Sequence, residues 1–468
     1  MTGQAAIGVY GLGVMGRNLA LNLAEKGVGV ATFDPWPQAR AAMASMATRW
    51  GPRALTESAS VFVSELAEPA VILLMVKAGE PVDAAIAHLQ PMLRAGAIIA
   101  DGGNSHFRDS ERRAAALARH GIGYLGVGIS GGEEGARYGA AMMVGGAEMH
   151  YERVEPLLRR IAATADGDPC LARLGPAGAG HFAKMVHNSL EYAEMQLISE
   201  AVFALKAGGL DWLAIADAVD GWNREIGACY LLEITADLLR RRDGVNGAPL
   251  IELVRDSAEQ KGTGQWGAAT ALDLGVVTPT LVEAVMARSL SALKEVRASA
   301  AGPLEEMPSP VALGALTPNS VGGALLAARL AVYDQGFGML AAASKARGFG
   351  YDLARLAEIW RAGCIIRGAL LEPIAAAWRA QPALPRLLLA PWFRDAVRAR
   401  IADWRRVAAA MVASGVAAPA LLSALAYYDG LRTAQSGASL IQLQRDMFGA
   451  HGFERIDRPG TFHLETGT

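Results

Sequence analysis

Cysteine is scarce in this chain of 468 residues: Cys170, Cys229 and Cys364 stand far apart, with no CxxC pair. That excludes a disulfide framework and a cysteine-built metal centre, and it reads as the reduced thiols of a cytoplasmic protein. Long apolar runs are also missing. Hydrophobic residues make up 52% of the chain, yet none of its runs approaches the roughly 18 uncharged residues of a membrane span. The opening "MTGQ" passes straight into strand-like "AAIGVY", so no signal peptide is expected. Charge of one sign is lacking too, because 44 Lys and Arg face 46 Asp and Glu for a net of −2. This balance gives no electrostatic ground for nucleic acid or an anionic membrane as partner. Neither a low-complexity segment nor a repeat of about 20 to 50 residues stands out.

What is present is a change of pattern along the chain. Up to about residue 150, short Val/Ile/Leu runs such as "AAIGVY", "VGVATFD", "PAVILLMV", "AGAIIAD" and "GIGYLGVGIS" alternate with helical spacing that stops at glycine. "GAAMMVGG" reads as one further strand. The alternation predicts a Rossmann-type α/β domain, a parallel sheet covered by helices, over 1–178. After "LARLGPAGAG" the pattern turns to long Ala/Leu-rich helices, predicting an all-α domain over 179–434. The last stretch, 435–468, is Gly- and Pro-punctuated. A floppy terminus is the default there, but Phe448, Phe453 and Phe462 argue for something that docks.

"IGVYGLGVMG" sets Gly11, Gly13 and Gly16 in GxGxxG spacing, after a strand, before a helix and ahead of a second strand ending in Asp34. All parts of a dinucleotide fingerprint are present. Gly11 allows the turn, Gly13 lets backbone approach a pyrophosphate, Gly16 lets helix and strand pack, and the helix N-terminus offers N–H groups to phosphate. Asp34 is placed to accept hydrogen bonds from an adenosine ribose.

A second stretch, "GHFAKMVHNSLEY", puts Lys184, His187, Asn188, Glu191 and Tyr192 at i, i+3, i+4, i+7 and i+8, one face of a helix. The stripe is either a solvated face or a catalytic face carrying an amine and a carboxyl group. Other polar stretches surround the question. "ADGGNSHFRDS" places Asn104 at a strand's carboxyl end, and "GVGISGGEEGARYG" does the same with Ser130, Gly131 and Gly132. "AEQKGTGQW" sets Lys261 and Thr263 in a glycine-rich turn suited to phosphate, although GxxxxGK[ST] is absent.

Together "GLGVMGRN", "MVKAG", "DGGNS", "GISGGEEGARYG", "GHFAKMVHNSLEYAEMQLISEA", "QKGTGQW", "IWRAGCIIR" and "LIQLQRDMFGAH" resemble the 6-phosphogluconate dehydrogenase family over essentially the whole chain. The resemblance implies a homodimer whose C-terminal tail threads into the partner subunit. It implies conversion of 6-phospho-D-gluconate to ribulose 5-phosphate and CO2 without a metal. Lys184 then takes the C3 hydroxyl proton as hydride passes to the nicotinamide, and Glu191 protonates C1 of the enediol left by CO2. The amine must start neutral and the acid protonated, which needs surroundings that lower one pKa and raise the other. Asn104, Ser130, Gly131, Gly132, His187, Asn188 and Tyr192 would hold the carboxylate and hydroxyls. Lys261, Thr263 and Arg288 would hold the phosphate, with Arg445 and His451 reaching in from the other subunit. The cofactor would meet Gly11, Leu12, Gly13, Val14, Met15, Gly16, Asp34, Val76, Lys77 and Asn104.

The chain departs from the family pattern at Ser189, Glu259, Gln265 and Val144, none of which removes a reacting group. The largest departure is "FDPW" at 33–36, where NADP-using members show Asn-Arg-Thr. An anion in that place predicts NAD as the preferred cofactor, with NADP still possible through Arg40. Two rival readings are a general β-hydroxyacid dehydrogenase and a non-catalytic dinucleotide sensor. The former lacks counterparts to "QKGTGQW" and the tail, and the latter has no use for Lys184 and Glu191 together.

Overall fold

The computed structural model describes residues 4–47, 54–225, 227–260, 262–304 and 313–464. Its sheet begins with β1 (Ile7–Tyr10), β2 (Val30–Phe33), β3 (Ala54–Leu55), β4 (Val71–Leu74), β5 (Ile98–Asp101) and β6 (Gly123–Ser130). These six run parallel in the order β6-β5-β4-β1-β2-β3. The apolar runs that announced them are buried along their whole length in β1, β2, β4, β5 and β6, as strands covered on both faces must be. The chain leaves β1 toward β2 on one side and has β4 on the other. That is the reversal point at which open α/β sheets bind ligands.

The expectation of an all-parallel sheet meets one difference. β7 (Ala141–Gly146) pairs antiparallel with β6. The ten residues between them, 131–140, hold one short helix, and a parallel crossover needs about a dozen residues or more. A small hairpin of β8 (Thr164–Ala165) and β9 (Asp168–Pro169) follows, and β10 (Leu171–Gly175) then pairs parallel with β7 at the edge.

Helices α1 (Val14–Glu25), α2 (Pro37–Ala47), α3 (Ala59–Ser64), α4 (Glu80–Leu89), α5 (Phe107–Ala118), α6 (Gly132–Tyr138) and α7 (Glu148–Ile161) fill the connections. Next comes α8 (Ala177–Ala207), a helix of 31 residues that lies on β6 and β7. Glycine makes that approach possible. A Cβ on Gly128 would stand 2.5 Å from the Cβ of Lys184, and one on Gly180 would stand 2.4 Å from the carbonyl oxygens of Gly126 and Met143. The other side of α8 packs against the 30-residue helix Pro318–Arg347, where Arg329 Nη2 and Glu194 Oε1 pair at 3.1 Å in full burial. Helix Pro279–Ala292 is held at its start by Gln335, whose Oε1 accepts from the Thr280 N–H at 2.9 Å. One apolar core runs from Phe107, Ala141 and Met143 beside the sheet through α8 into the helical half. Among the described residues no helix is long and apolar enough to cross a membrane.

The C-terminal segment has structure of its own. Helix Ala438–Gly449 is followed by an antiparallel pair, Phe453–Glu454 with Thr461–Phe462. Asp446 ties them together, accepting from the N–H groups of Gly452 (2.8 Å) and Leu464 (2.6 Å) and facing His463 Nδ1 at 2.8 Å. Phe453 and Phe462 pack on each other across the hairpin, whereas Phe448 stays 75% exposed beside an exposed Met447.

Candidate active site

The glycine loop closes on itself by contact. Gly11 takes φ +99°, and a Cβ there would lie 2.6 Å from the Met75 carbonyl oxygen; one on Gly16 would lie 1.9 Å from the oxygen of Gly11. Around Gly13 there is instead open space, and Gly13 caps α1 without any side-chain acceptor for the first N–H groups. A crowded turn beside an open, uncapped helix end fits a dinucleotide's phosphates. Val14 is exposed and Met15 half-buried there, with Leu12 buried beneath.

Beside this loop lies a cleft of about 610 Å³, lined by Gly11, Asp34, Val76 and Lys77 among others. Asp34 is held firmly in it. Its Oδ2 accepts from the Leu12 N–H at 2.7 Å and its Oδ1 from the Trp36 N–H at 2.8 Å. An ionised carboxylate offers about four acceptor sites, so lone pairs remain for ribose hydroxyls. Arg40 Nη1 donates to the carbonyls of Asp34 (2.8 Å) and Pro35 (3.2 Å), which fastens the nearest cation to main chain. The sequence reading missed Tyr10, Pro81, Ala84 and His88 in this cleft. Their signal was weak, because they lie in a strand and a helix that read as ordinary core.

Across from the glycine loop, α8 brings the polar stripe against β6. Lys184 is 6% exposed and His187 0%, so the stripe is not a solvated face. Lys184 Nζ donates to Ser130 Oγ at 2.9 Å, and lies 3.3 Å from His187 Nδ1. His187 Nε2 is 3.2 Å from the same Ser130 Oγ. Glu191, one turn on, comes within 3.9 Å of His187 Nδ1. Burial holds the Lys184 amine below its usual pKa, against the pull of Glu191 and Cys364. Burial raises the Glu191 carboxyl, with Lys184 and Arg288 opposing and Glu194 assisting. His187 is pushed well down by burial and then by Lys184. A neutral amine beside a protonated acid is the arrangement a proton-transfer pair needs.

From this cluster the polar groups continue outward. Asn188 Oδ1 lies 3.3 Å from His187 Nδ1, while Asn188 Nδ2 donates to Thr263 Oγ1 at 3.1 Å. Thr263 opens helix Thr263–Asp273, whose cap Gly262 leaves the first N–H groups without a side-chain partner. Arg288 lays its guanidinium 3.5 Å from the ring centroid of buried Tyr192. Lys261 lies outside the described residues. On the sheet side, Gly131 (φ +110°) and Gly132 (φ +61°) turn the chain after Ser130, with open space over Gly132. Asn104, at φ +53°, exchanges two hydrogen bonds with the backbone of Ile129: Nδ2 to its oxygen at 3.1 Å, its N–H to Oδ1 at 3.0 Å. This fixes the loop after β5 to β6 and leaves one Asn104 N–H free of that exchange.

Arg445 and His451 do not join this cluster within their own chain. Arg445 bonds Gln442 at 3.1 Å and the His451 ring packs on Phe448 at 6.0 Å, both contacts inside the tail. Two groups from "IWRAGCIIR" had no role in the sequence reading. The Trp360 ring stands edge-on to His187 at 5.5 Å, and Cys364, its thiol pushed up to about 12, is close enough to bear on the Lys184 charge. Among the described residues no group of three His, Cys, Asp or Glu side chains is placed to hold a metal ion.

Comparison with known proteins decides the family. The NAD binding domain of 6-phosphogluconate dehydrogenase matches residues 6–175, and the C-terminal domain of 6-phosphogluconate dehydrogenase matches 180–466. The chain belongs to the 6-phosphogluconate dehydrogenase family. As a member of that family it is an oxidoreductase with a nucleotide-binding α/β half and a helical half. A relative from Synechococcus elongatus named 6-phosphogluconate dehydrogenase, decarboxylating, is 44% identical over 98% of both chains. A solved 6-phosphogluconate dehydrogenase of Plasmodium falciparum, described in apo form and with NADP+ or 6-phosphogluconate, superposes with a TM-score of 0.93. It is 32% identical, and the match covers 98% of this chain and 100% of that one. Bacillus subtilis supplies two family members, one named NAD(+)-dependent and one NADP(+)-dependent, each 44% identical over 98% of this chain and 98% of its own. Overall similarity within the family therefore does not distinguish the cofactors.

Proposed function

We propose that the chain converts 6-phospho-D-gluconate to D-ribulose 5-phosphate and CO2 in the pentose phosphate pathway, reducing NAD in preference to NADP. The observation that carries this reading is the buried Lys184–Ser130–His187 triangle with Glu191 one helical turn away. Gly11, Gly13, Gly16 and Asp34 would hold NAD or NADP, which would supply the hydride acceptor for C3. Lys184 Nζ, its pKa lowered by burial, acts in its neutral form and takes the proton of the C3 hydroxyl. Ser130 and His187 hold the amine in place, and once charged it gives its proton to the oxygen of the new ketone as the carboxylate leaves as CO2, forming the enediol. Glu191 then delivers its proton to C1 of the enediol while Lys184 takes back the hydroxyl proton. Asn104, Ser130, Gly131, Gly132, His187, Asn188 and Tyr192 serve the carboxylate and hydroxyls. Thr263, Lys261 and Arg288 serve the phosphate, joined by Arg445 and His451 of a second copy. In this reading the protein is a cytoplasmic homodimer built as 1–178, 179–434 and an exchanged tail 435–468.

The pair makes pH a test. The competent form has Lys184 neutral and Glu191 protonated, so the two share one proton. At low pH both are protonated and at high pH both are bare; kcat/KM should trace a bell whose limbs belong to the pair. Glu191→Gln keeps position 191 neutral at every pH. Hydride transfer in its first turnover should then rise once with pH, as Lys184 deprotonates, and not fall again. A retained alkaline fall in that variant would remove Glu191 from the pair.

Cofactor choice turns on Asp34. At about 4 Å and an effective dielectric near 20, a like-charge pair of carboxylate and 2′-phosphate costs on the order of 4 kcal/mol. Solvent reduces this, while the two N–H groups gripping Asp34 keep it from swinging away. About 1.4 to 3 kcal/mol remains, a ten- to hundred-fold preference for NAD. The check is kcat/KM for both cofactors with saturating 6-phosphogluconate, in the parent and in Asp34→Asn, Pro35→Arg. A parent favouring NADP would defeat the hypothesis, as would a double variant whose preference stayed put. Turnover of short β-hydroxyacids but not 6-phosphogluconate would favour the general dehydrogenase reading instead.

A further inference from the structure

The cofactor cleft has one wall that the fingerprint does not account for. Trp36 is 71% exposed, although indole is among the largest apolar surfaces a side chain can present and is highly buried on average. It lines the cleft of about 610 Å³ together with Pro81, Ala84 and His88. The sheet order sets these groups on opposite sides. β1 stands between β2 and β4, so the loop after β2, carrying Asp34 to Trp36, flanks Gly11 on one side. Helix α4, which follows β4 and carries Pro81, Ala84 and His88, flanks it on the other.

The backbone of Trp36 is fixed on both sides. Its N–H is spent on Asp34 Oδ1 at 2.8 Å, and its carbonyl accepts from the N–H groups of Ala39 (3.1 Å) and Arg40 (3.3 Å) at the start of α2. Pro35 before it and Pro37 after it restrict the chain further. The indole is thus presented at the cleft rim on a braced backbone, next to the carboxylate proposed to bind the adenosine ribose. The α4 side of the cleft contributes Pro81 and Ala84, with His88 engaged through Nδ1 by Tyr10 Oη at 3.2 Å. A cleft that carries an indole from the β2 side and Pro and Ala from the α4 side suits a flat heteroaromatic ring that offers two π faces.

Resting on the reading of this cleft as the dinucleotide site, we propose that Trp36 is the stacking surface for the adenine ring, clamping it against Pro81 and Ala84 of α4. The contact is blind to the 2′ position, so it strengthens NAD and NADP alike and leaves discrimination to Asp34. A base stacked on an aromatic side chain is worth about five- to hundred-fold in affinity.

The test uses the full-length protein and the probe ADP-ribose, which has the adenosine and diphosphate but no nicotinamide. Calorimetry should show Trp36→Ala binding ADP-ribose about five- to hundred-fold more weakly than the parent, with Trp36→Phe recovering most of the loss. In kinetics, Trp36→Ala should raise KM for NAD and for NADP by the same factor, leaving their ratio at the parent's value. ADP-ribose should quench tryptophan fluorescence in the parent and far less in Trp36→Phe. Equal ADP-ribose affinity in parent and Trp36→Ala would overturn the stacking role while leaving the dinucleotide site standing. A changed NAD to NADP ratio would overturn it too, because Trp36 would then be acting at the ribose. A parent that binds neither ADP-ribose nor NAD would overturn the cleft assignment and the inference with it.

Discussion

Lys184→Met should lose at least a hundred-fold in turnover of 6-phosphogluconate at saturating substrate, while keeping its affinity for NAD nearly intact. A positioned general base contributes about 10² to 10⁴-fold, and the same amine steadies the ketone oxygen, so the upper part of that range is expected. Methionine suits the test because the side chain is buried, 6% exposed, and lies against the Gly128 backbone where a longer or branched group would clash. An apolar chain of similar length leaves no unpaired charge in that space. Its cost falls on chemistry rather than on folding, and a thermal melt beside the parent checks this. Retention of more than a tenth of parental turnover would take Lys184 out of the role.

The tail offers a sharper result, because it can restore activity from two dead proteins. Arg445 and His451 keep company with Gln442 and Phe448 on a folded segment that leaves Phe448 and Met447 uncovered. The proposal is that this segment completes the phosphate site of a second copy, Arg445 supplying a charge-assisted contact. One subunit is made Lys184→Met and the other carries Arg445→Ala with His451→Ala; each should be nearly inactive as a homodimer. In the heterodimer, purified through two different tags, exchanged tails give one site with both defects and one with neither. About half of the parental activity per dimer should return, an increase of at least tenfold over either homodimer. If the purified heterodimer remains dead, each tail serves its own chain.

How much of this could be read from residues alone differed from place to place. The glycine fingerprint was legible because its constraint is local: a turn, a helix start and a carboxylate at fixed spacing. That helices take over after residue 177 was legible from periodicity in the same way. Strand direction at β7 was not, since an apolar run has the same composition whichever way it points, and the short link 131–140 decided it. The stripe on α8 shows the limit most clearly. Spacing placed Lys184, His187, Asn188, Glu191 and Tyr192 on one face, but what covers that face depends on β6 and on helices far along the chain. Trp360 and Cys364 belong to the same lesson: nothing near them in sequence says that their neighbours are His187 and Lys184. The antiparallel hairpin of the tail was hidden for another reason, because it hangs on Asp446 binding two N–H groups that are distant in the chain.

The position of α8 has a consequence for anyone who would cut or shuffle this gene. In sequence the nucleotide-binding half ends near residue 175 and the helical half begins a few residues later, which invites a crossover there. In space there is no seam at that point. On one face of the sheet the apolar side chains of β7 and β10 (Ala141, Met143, Ala172 and Leu174) belong to the same core as the helical bundle, together with Phe182 and Val186 of α8. A chimera joined near residue 176 would ask a foreign sheet to accept a helix whose fit depends on Gly126, Gly128 and Gly145 beneath it. The unit that can be transplanted whole therefore carries β6, β7, β10 and α8 together, and the better joints lie upstream, in the turns before Gly123.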